Sequence, residues 1–185
     1  DFWWRVLYAG VKDCNLAIEM IPEVTQMSED LKSQALGEAH TLRAWYYFNL
    51  VRYYGDVPMN NKIFTNIEEA YLPRSSLKNI YDRIIIPDLE FAVNESKLAD
   101  IQSSTGRVTK YTARLILADV YLTCAGYPYQ EIADTTTAYC AEGLWSAPTY
   151  PVNNPSAVAF LQKAKTQLDA LYGKFTLGTY DDLHD

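Results

Sequence analysis

Aromatic side chains carry the clearest chemistry in this sequence, because flat tryptophan and tyrosine rings can stack on the C–H faces of sugars at little cost in side-chain entropy. The candidate binding residues are Trp145, Tyr150, Tyr127, Tyr129, Trp3 and Trp4. Four of them lie between residues 126 and 155, where Asn153 and Asn154 could hydrogen-bond sugar hydroxyls. The alternative is that these rings only pin a long loop to the helices, since aromatic burial alone is strongly stabilising.

Motifs for catalysis or metal binding are not apparent. His40 and His184 are the only histidines, and His40 lies inside a helical pattern, where a structural role is the usual one. The acidic run at 181–185 has metal-ligand residue types, but it lies at the chain end, where solvated side chains are the default. Gly-rich phosphate loops, Gly-x-Ser-x-Gly elbows and His-Glu-x-x-His helices are missing. We therefore predict no cofactor and no metal.

Glycoside hydrolysis would need two carboxylates about 5 to 9.5 Å apart across a cleft. The carboxylates available by type are Glu38, Asp56, Asp88 and Glu90. Each has a structural interpretation: Glu38 faces the helix surface or pairs with Arg43 or a neighbouring basic group, and Asp56 lies in a turn. The other two flank Pro87. A glycosidase is thus a distant alternative, and we predict that the chain is not an enzyme.

Charge and length limit the class of protein further. The formal net charge is −7, and lysine and arginine do not cluster. Nucleic acids and anionic membrane surfaces both require a basic surface, so neither is a predicted partner. No apolar run is long enough to span a bilayer. A chain of 185 residues, 49% of them hydrophobic, suits a single domain over residues 1–185.

The three cysteines leave two interpretations open. Cys14 and Cys124 lie in apolar helical patterns, where buried free thiols are the common outcome. A disulfide between Cys124 and Cys140 could form if the protein is exported. A structural zinc site is not predicted, because no Cys-x-x-Cys pair is present.

Helical periodicity is strongest between Ser28 and Gly55. Ser28 is a suitable N-cap, Gly55 can adopt the left-handed conformation that ends a helix, and Pro58 prevents its continuation. The line predicted to face the core is Leu31, Ala35, Ala39, Leu42, Tyr46, Leu50 and Tyr53, with Ala44, Trp45, Phe48 and Val51 beside it. For Tyr46, Tyr47, Tyr53 and Tyr54 helix packing is the preferred interpretation.

Four further helices are predicted around this one. They cover Trp3 to Ile21, Ser76 to about Leu98, Lys110 to about Ala125, and Ser156 to about Tyr172. Asn15 in the first should pair with backbone or a neighbouring helix, and Pro87 should kink or divide the second. The third has almost no polar face and should be the most buried. The last should face the core with Val158, Leu161, Ala164, Leu168 and Leu171.

Several of these segments resemble the SusD/RagB family, the lipid-anchored outer-membrane nutrient-binding proteins of Bacteroidetes. The matching runs are VLYAGVKDCNLAIEMIP, ALGEAHTLRAWYYFNLVRYYGDVPM, LPRSSLKNIYDRIIIPDLEFAV, GRVTKYTARLILADVYLTCAG and KFTLGTYDDLHD. The Arg-Ala run of aromatic residues followed by Tyr-Gly-Asp-Val-Pro is the most specific of them. The resemblance covers most of the chain and is weakest at 133–155.

The resemblance implies an all-α fold of antiparallel helix pairs in a tetratricopeptide-like array, with one long aromatic and proline-rich loop at 126–155. It implies a non-enzymatic, surface-exposed outer-membrane lipoprotein that captures an oligosaccharide or polysaccharide and delivers it to a SusC-like TonB-dependent transporter. Because family ligand sites draw on loops near the N-terminal helix, Trp3 and Trp4 are included as candidates. Family members are far longer, so the chain is expected to be a fragment, with membrane contact only through a lipid anchor outside it.

The main alternative is a tetratricopeptide-type adaptor that binds a peptide in a helical groove. Such an adaptor would present an exposed groove of asparagine, lysine and arginine side chains. No clean 34-residue period supports it in the sequence.

Overall fold

The computed structural model describes residues 1–66, 68–101, 106–126, 128–130 and 155–175, and these are mostly helical. The helices are α1 Phe2–Met20, α2 Glu29–Tyr54, α3 Leu77–Ile80, α4 Ile86–Asn94, α5 Lys110–Cys124 and α6 Pro155–Leu171. Two short strands, β1 Val57–Pro58 and β2 Arg74–Ser75, pair antiparallel and were not predicted. The all-α fold class is confirmed. The predicted loop at 126–155 lies almost wholly outside the described residues.

The predicted ends of the long helix α2 are confirmed. The Ser28 hydroxyl accepts a hydrogen bond from the Leu31 amide at 3.3 Å, which satisfies one of the free donors of the first turn. Glu29 and Asp30 follow it, where the helix dipole favours carboxylates. Gly55 ends the helix with φ of 68°, a conformation that costs glycine little. The helix has 26 residues, so it spans roughly 39 Å.

Successive helices pack antiparallel, as side-chain contacts along their lengths show. Trp3 of α1 contacts Tyr53 of α2, and Tyr8 contacts Tyr47. Farther along α1, Asn15 contacts Arg43 of α2. Later residues of α1 thus contact earlier residues of α2, which means that the two helices run in opposite directions. Helices α5 and α6 show the same order, with pairs at Tyr111–Phe175, Arg114–Gln167 and Tyr121–Phe160.

The buried face of α2 differs from the predicted one. Leu31, Leu42, Trp45 and Tyr53 are exposed, whereas Gly37, Thr41, Arg43 and Tyr47 are buried beside the correctly predicted Ala39, Ala44, Phe48, Leu50 and Val51. The prediction was wrong because it counted only apolar residues. A buried ion pair and a close contact at Gly37 set the rotation of this helix instead.

That ion pair joins Arg43 of α2 to Asp88 of α4. The Arg43 Nε and Nη2 atoms donate to the two Asp88 carboxylate oxygens, each at 2.7 Å, and both side chains are buried. His40 Nδ1 lies 2.6 Å from Asp88 Oδ1, which gives this histidine the structural role predicted for it. Arg43 Nη1 also donates to Asn15 Oδ1 at 2.9 Å, so the predicted pairing of Asn15 in the core is confirmed. One network therefore holds α1, α2 and α4 together.

Pro87 divides its helix, as predicted, by means of a π-turn. Residues Tyr81–Ile85 form a π-helical turn in which the Ile86 amide donates to the Tyr81 carbonyl, five residues back. Pro87 then lies in the first turn of α4, a position at which proline is tolerated. The predicted helix is thereby divided into α3, the π-turn and α4, which follow one another directly.

Helices α5 and α6 are less buried than predicted. Leu115 and Leu122 of α5 are exposed, so the prediction that it is the most buried helix is wrong. On α6, Val158, Leu161 and Leu168 are exposed as well, and the inward residues are Ala157, Phe160 and Ala164. Cys14 and Cys124 are buried free thiols, whereas Cys140 lies outside the described residues.

Candidate functional site

The strongest candidate site is an aromatic surface formed by the start of α1 and the end of α2. It consists of Phe2, Trp3, Trp4, Tyr53 and Tyr54, and we call it the aromatic surface. The exposed fractions are 78% for Phe2, 39% for Trp3 and 66% for Tyr53. The Trp3 and Tyr53 rings meet edge to face with centroids 6.4 Å apart, and the Trp4 and Tyr54 rings do so at 5.0 Å.

Polar contacts brace the start of α1 and the Tyr54 side chain. The Asp1 carboxylate accepts a hydrogen bond from the Trp3 amide at 3.0 Å, which caps α1, and another from the Tyr54 hydroxyl at 2.7 Å. Tyr8, one turn after Trp4, donates its hydroxyl proton to the Pro58 carbonyl at 2.7 Å. Burial, with Tyr47 nearby, raises the pKa of the Tyr8 hydroxyl above its usual value, so it remains a donor at neutral pH. A rigid aromatic surface of this kind can stack on a flat apolar ligand face at low entropic cost.

A depression of about 580 Å³ runs along α1 beside the aromatic surface. Phe2, Trp4, Arg5, Tyr8, Ala9 and Lys12 are among the residues that line it. We call it the α1 groove. Its walls combine aromatic rings with two cationic side chains, so it offers both stacking faces and charged hydrogen-bond donors.

The structure separates the residues predicted as binding candidates. Trp3 and Trp4 come together on the aromatic surface. Trp145, Tyr150 and Tyr127 lie outside the described residues, so their predicted roles stay predictions. Tyr129 is buried, which agrees with the alternative interpretation that a ring of this segment pins the chain to the helices.

Tyr129 is a core residue with 6% of its surface exposed. Its hydroxyl donates to Asp82 Oδ1 at 2.6 Å, and its ring packs edge to face on Tyr81 and Phe160. The Lys78 ammonium lies over the ring, 3.9 Å from the centroid. The ring is packed against other side chains and the hydroxyl is hydrogen-bonded to a carboxylate, which leaves neither to a ligand.

Sequence reasoning missed three members of the aromatic surface. Phe2 was not singled out, and Tyr53 and Tyr54 were assigned to helix packing. Antiparallel pairing of α1 with α2 places the end of α2 beside the start of α1. Applying that pairing to the sequence would have placed Tyr53 and Tyr54 next to Trp3 and Trp4.

The carboxylates considered for catalysis are occupied by structural contacts. Asp88 forms an ion pair with Arg43. Glu38 forms an ion pair with Arg107 at 2.7 Å, which agrees with the prediction that it pairs with a basic group. Asp56 accepts from the Leu77 amide at 2.8 Å. Glu90 accepts from the Tyr121 hydroxyl at 2.5 Å. Within the described ranges, no three His, Cys, Asp or Glu side chains are grouped to hold a metal ion.

A second depression, of about 430 Å³, lies between α5 and α6. Its lining is apolar and aromatic and includes Tyr111, Leu115, Leu168, Leu171 and Phe175. The adaptor alternative required a groove lined by asparagine, lysine and arginine, and this depression does not have that lining. In the part of the chain that the structure describes, no helix is both long and apolar enough to cross a membrane.

Comparison with known proteins identifies relatives of this chain. The model of a SusD-like family described as "Starch-binding associating with outer membrane" matches residues 2–122. SusD-like protein P38 of Formosa agariphila is 34% identical over 120 residues, which are 64% of this chain and 22% of that protein.

Solved structures agree with this match. A SusD superfamily protein from Parabacteroides distasonis aligns with a TM-score of 0.64 and 44% identity, over 68% of this chain and 26% of that one. A laminarin binding SusD-like protein aligns with a TM-score of 0.58 and 30% identity, over 65% of this chain and 26% of that one. The chain therefore spans about a quarter or less of the length of these relatives. Because the family model covers well over half of its 185 residues, and the fold agrees, the chain belongs to the SusD-like family.

Proposed function

We propose that the chain is part of a non-enzymatic, glycan-binding outer-membrane lipoprotein and that its aromatic surface contacts an oligosaccharide or polysaccharide. The observation that carries the proposal is the pair of partly exposed rings at Trp3 and Tyr53, which contact each other edge to face, with the exposed Phe2 ring next to Trp3 in the sequence. Exposed aromatic rings on a rigid support are the side chains that sugar faces stack on. Trp145, Tyr150 and Tyr127 are proposed as further contacts.

Family membership supports a sugar as the ligand. The matching family is described as starch-binding, and one of the similar structures is described as laminarin binding. The chain corresponds to only about a quarter of that protein, so the ligand itself belongs to the proposal. Structural use of Glu38, Asp56, Asp88 and Glu90 supports binding without hydrolysis, because no pair among these four remains uncommitted.

The partner and location follow from the same family. We propose that the protein acts at the cell surface of the outer membrane together with a SusC-like TonB-dependent transporter, which receives the glycan. The family description supports the association with the outer membrane. A lipid anchor outside this chain would hold it there, and no cofactor is required for binding.

Tryptophan fluorescence tests the proposal. The chain is titrated with laminari-, malto- and xyloglucan oligosaccharides, and saturable quenching is expected for at least one of them. Trp3→Ala should weaken that binding about tenfold or more, because a stacked aromatic ring contributes on the order of 1 to 3 kcal/mol in comparable stacking contacts.

Trp45→Ala is the matched control. Trp45 is 38% exposed, almost the same as Trp3, and it also contacts a tyrosine ring edge to face, but it lies in the middle of α2. Its substitution should leave the affinity within about twofold of the original. Equal losses in the two variants, or release of reducing sugar during incubation, would contradict the proposal.

A further inference from the structure

Two cationic side chains on the same face of α1 line the α1 groove. Arg5 and Lys12 are seven residues apart and line the same groove, with Ala9 between them. Seven residues are two turns of helix, so their Cα atoms are roughly 10.5 Å apart along the axis. That separation is comparable with the length of two linked sugar rings.

In the part of the chain that the structure describes, neither charge has a close acidic partner. Among the described residues, the Arg5 side chain forms no hydrogen bond or ion pair within the usual distance limits. The Lys12 ammonium has one acidic neighbour, Asp13 Oδ1 at 3.9 Å, with both side chains more than two-thirds exposed. Pairs of that kind contribute little, because water screens them and the long side chain loses entropy. In a chain with a net charge of −7, this is an unexpected place for two available cations.

The nearest carboxylate in sequence to Arg5 is occupied. Asp1 accepts hydrogen bonds from the Trp3 amide and the Tyr54 hydroxyl, so both of its oxygens already have donors. Bound in this way, the carboxylate holds the aromatic surface in place. The guanidinium of Arg5 can then donate to an incoming ligand.

The aromatic wall of the groove is rigid. Trp4 and Tyr8 lie with ring centroids 4.8 Å apart, and the hydrogen bond from Tyr8 to Pro58 fixes the second ring. Trp4 is held in turn by Tyr54. A ligand in the groove would therefore meet both the Trp4 and Tyr8 rings and the two exposed cations.

We infer that the α1 groove binds an acidic glycan, with sugar rings against Trp4 and Tyr8 and carboxylate or sulfate groups on Arg5 and Lys12. This inference rests on the proposed glycan-binding function and narrows its ligand class. Charge-assisted hydrogen bonds to carboxylates and sulfates are stronger than neutral ones, and arginine can make two to one anion. Neutral sugars would leave both cations without a partner.

The test compares ligands that differ only in charge. Oligogalacturonate is titrated against its fully methyl-esterified form, and sulfated laminari-oligosaccharide against the unsulfated one. Calorimetry should show at least one charged ligand binding about tenfold or more tighter than its neutral counterpart. The ligand pair that shows this difference in affinity tells whether the groove prefers a carboxylate or a sulfate group. Its affinity should fall between about 0.01 M and about 1 M salt, as the screening length shrinks from roughly 30 Å to roughly 3 Å.

Variants assign the effect to the groove. The double variant Arg5→Gln/Lys12→Gln should lose the preference for the charged ligand while keeping the affinity for the neutral one. Its matched control is Arg83→Gln/Lys97→Gln, which removes the same two kinds of charge from exposed positions on other elements. The control should bind both ligands as the unaltered chain does.

The outcomes distinguish this inference from the proposed function. If neutral glycans bind in a Trp3-dependent way but charged forms bind no better, the inference is wrong and the proposed function stands. The inference is also overturned if the charged preference survives in Arg5→Gln/Lys12→Gln. If none of the glycans binds, both proposals fail.

Discussion

At the residue scale, the Arg43–Asp88 ion pair determines how α1, α2 and α4 fit together. Asp88→Asn would leave the buried Arg43 guanidinium without its counter-charge, since both of its bonds to the carboxylate are buried. We expect the free energy of unfolding to fall by about 3 to 5 kcal/mol, measured by urea denaturation.

Asp119→Asn is the control for this substitution. Asp119 pairs with Arg52 at 3.8 Å, and both side chains are more than half exposed. Screened pairs of this type contribute about 1 kcal/mol at most. If Asp88→Asn cost no more than Asp119→Asn, the buried network would not have the structural role assigned to it.

Two buried cysteines give a chemical prediction at the same scale. Burial raises the pKa of the Cys14 thiol to about 11 and that of the Cys124 thiol to about 12, so the reactive thiolate is scarce at neutral pH. In a Cys140→Ser variant, both thiols should react with a disulfide reagent on the order of a hundredfold more slowly in the folded than in the urea-unfolded chain. Fast reaction of either thiol in the native state would contradict their burial.

The sequence predicted single residues well where a local rule applied and poorly where a distant partner was needed. Asn15 was correctly expected to pair in the core, because a polar side chain in an apolar pattern must find a partner. Burial of Arg43 was missed, since its partner Asp88 is 45 residues away and apolar periodicity ignores charged residues. For Tyr129 the sequence left a binding role and a packing role open, because its partner, Asp82, is distant in sequence.

At the element scale, α2 passes very close to the segment after α4. A Cβ atom at Gly37 would lie 2.9 Å from Ser96 Cβ and 3.1 Å from Leu98 Cβ, and neither neighbour can rotate away. Alanine normally stabilises a helix by about 1 kcal/mol relative to glycine, but overpacking costs typically 1 to 3 kcal/mol. Gly37→Ala should therefore lower the thermal midpoint and the unfolding free energy, the latter by up to about 2 kcal/mol.

Gly10→Ala provides the contrast. A Cβ atom at Gly10 would meet the tip of the Tyr46 ring, which is partly exposed and can turn aside. Its loss of stability should be smaller than that of Gly37→Ala. The reverse order would mean that the α1–α2 contact is the tighter of the two.

Helix positions were predictable because their end signals are local. Ser28 and Gly55 mark the ends of α2 by capping and by a positive φ, and both are recognisable by residue type. Pro87 marked a division of its helix, although the π-turn that absorbs it was not foreseen. The β1–β2 pair was missed because two-residue strands have no measurable alternation.

At the scale of the whole molecule, burial of tyrosine predicts sensitivity to alkali. Among the described residues, burial raises the pKa of six tyrosine hydroxyls: Tyr8, Tyr46, Tyr47, Tyr81, Tyr121 and Tyr129. A raised pKa means that the folded chain holds the proton more tightly, so this stability is fully present below about pH 10, the unfolded value, and is lost as the pH rises above it.

Urea denaturation at several pH values measures this loss. The unfolding free energy should fall by several kcal/mol between about pH 9 and about pH 11. An unchanged value over that range would show that the tyrosines ionise as readily folded as unfolded.

The candidate site belongs to this largest scale, which explains how much of it the sequence could predict. Trp3 and Trp4 were found from residue type alone. The rest of the aromatic surface needed the antiparallel pairing that brings Tyr53 and Tyr54 beside them. The α1 groove was not foreseen, because it depends on how Trp4 and Tyr8 pack against neighbouring elements.

Fluorine NMR of the chain labelled with 5-fluorotryptophan shows whether a bound sugar lies on the aromatic surface. The four tryptophans, Trp3, Trp4, Trp45 and Trp145, are each assigned by single substitution. On saturation with a bound oligosaccharide, we predict that the Trp3 and Trp4 signals shift, while the Trp45 signal does not. A shift of the Trp145 signal alone, with Trp3 and Trp4 unchanged, would contradict the account and place the sugar away from the aromatic surface.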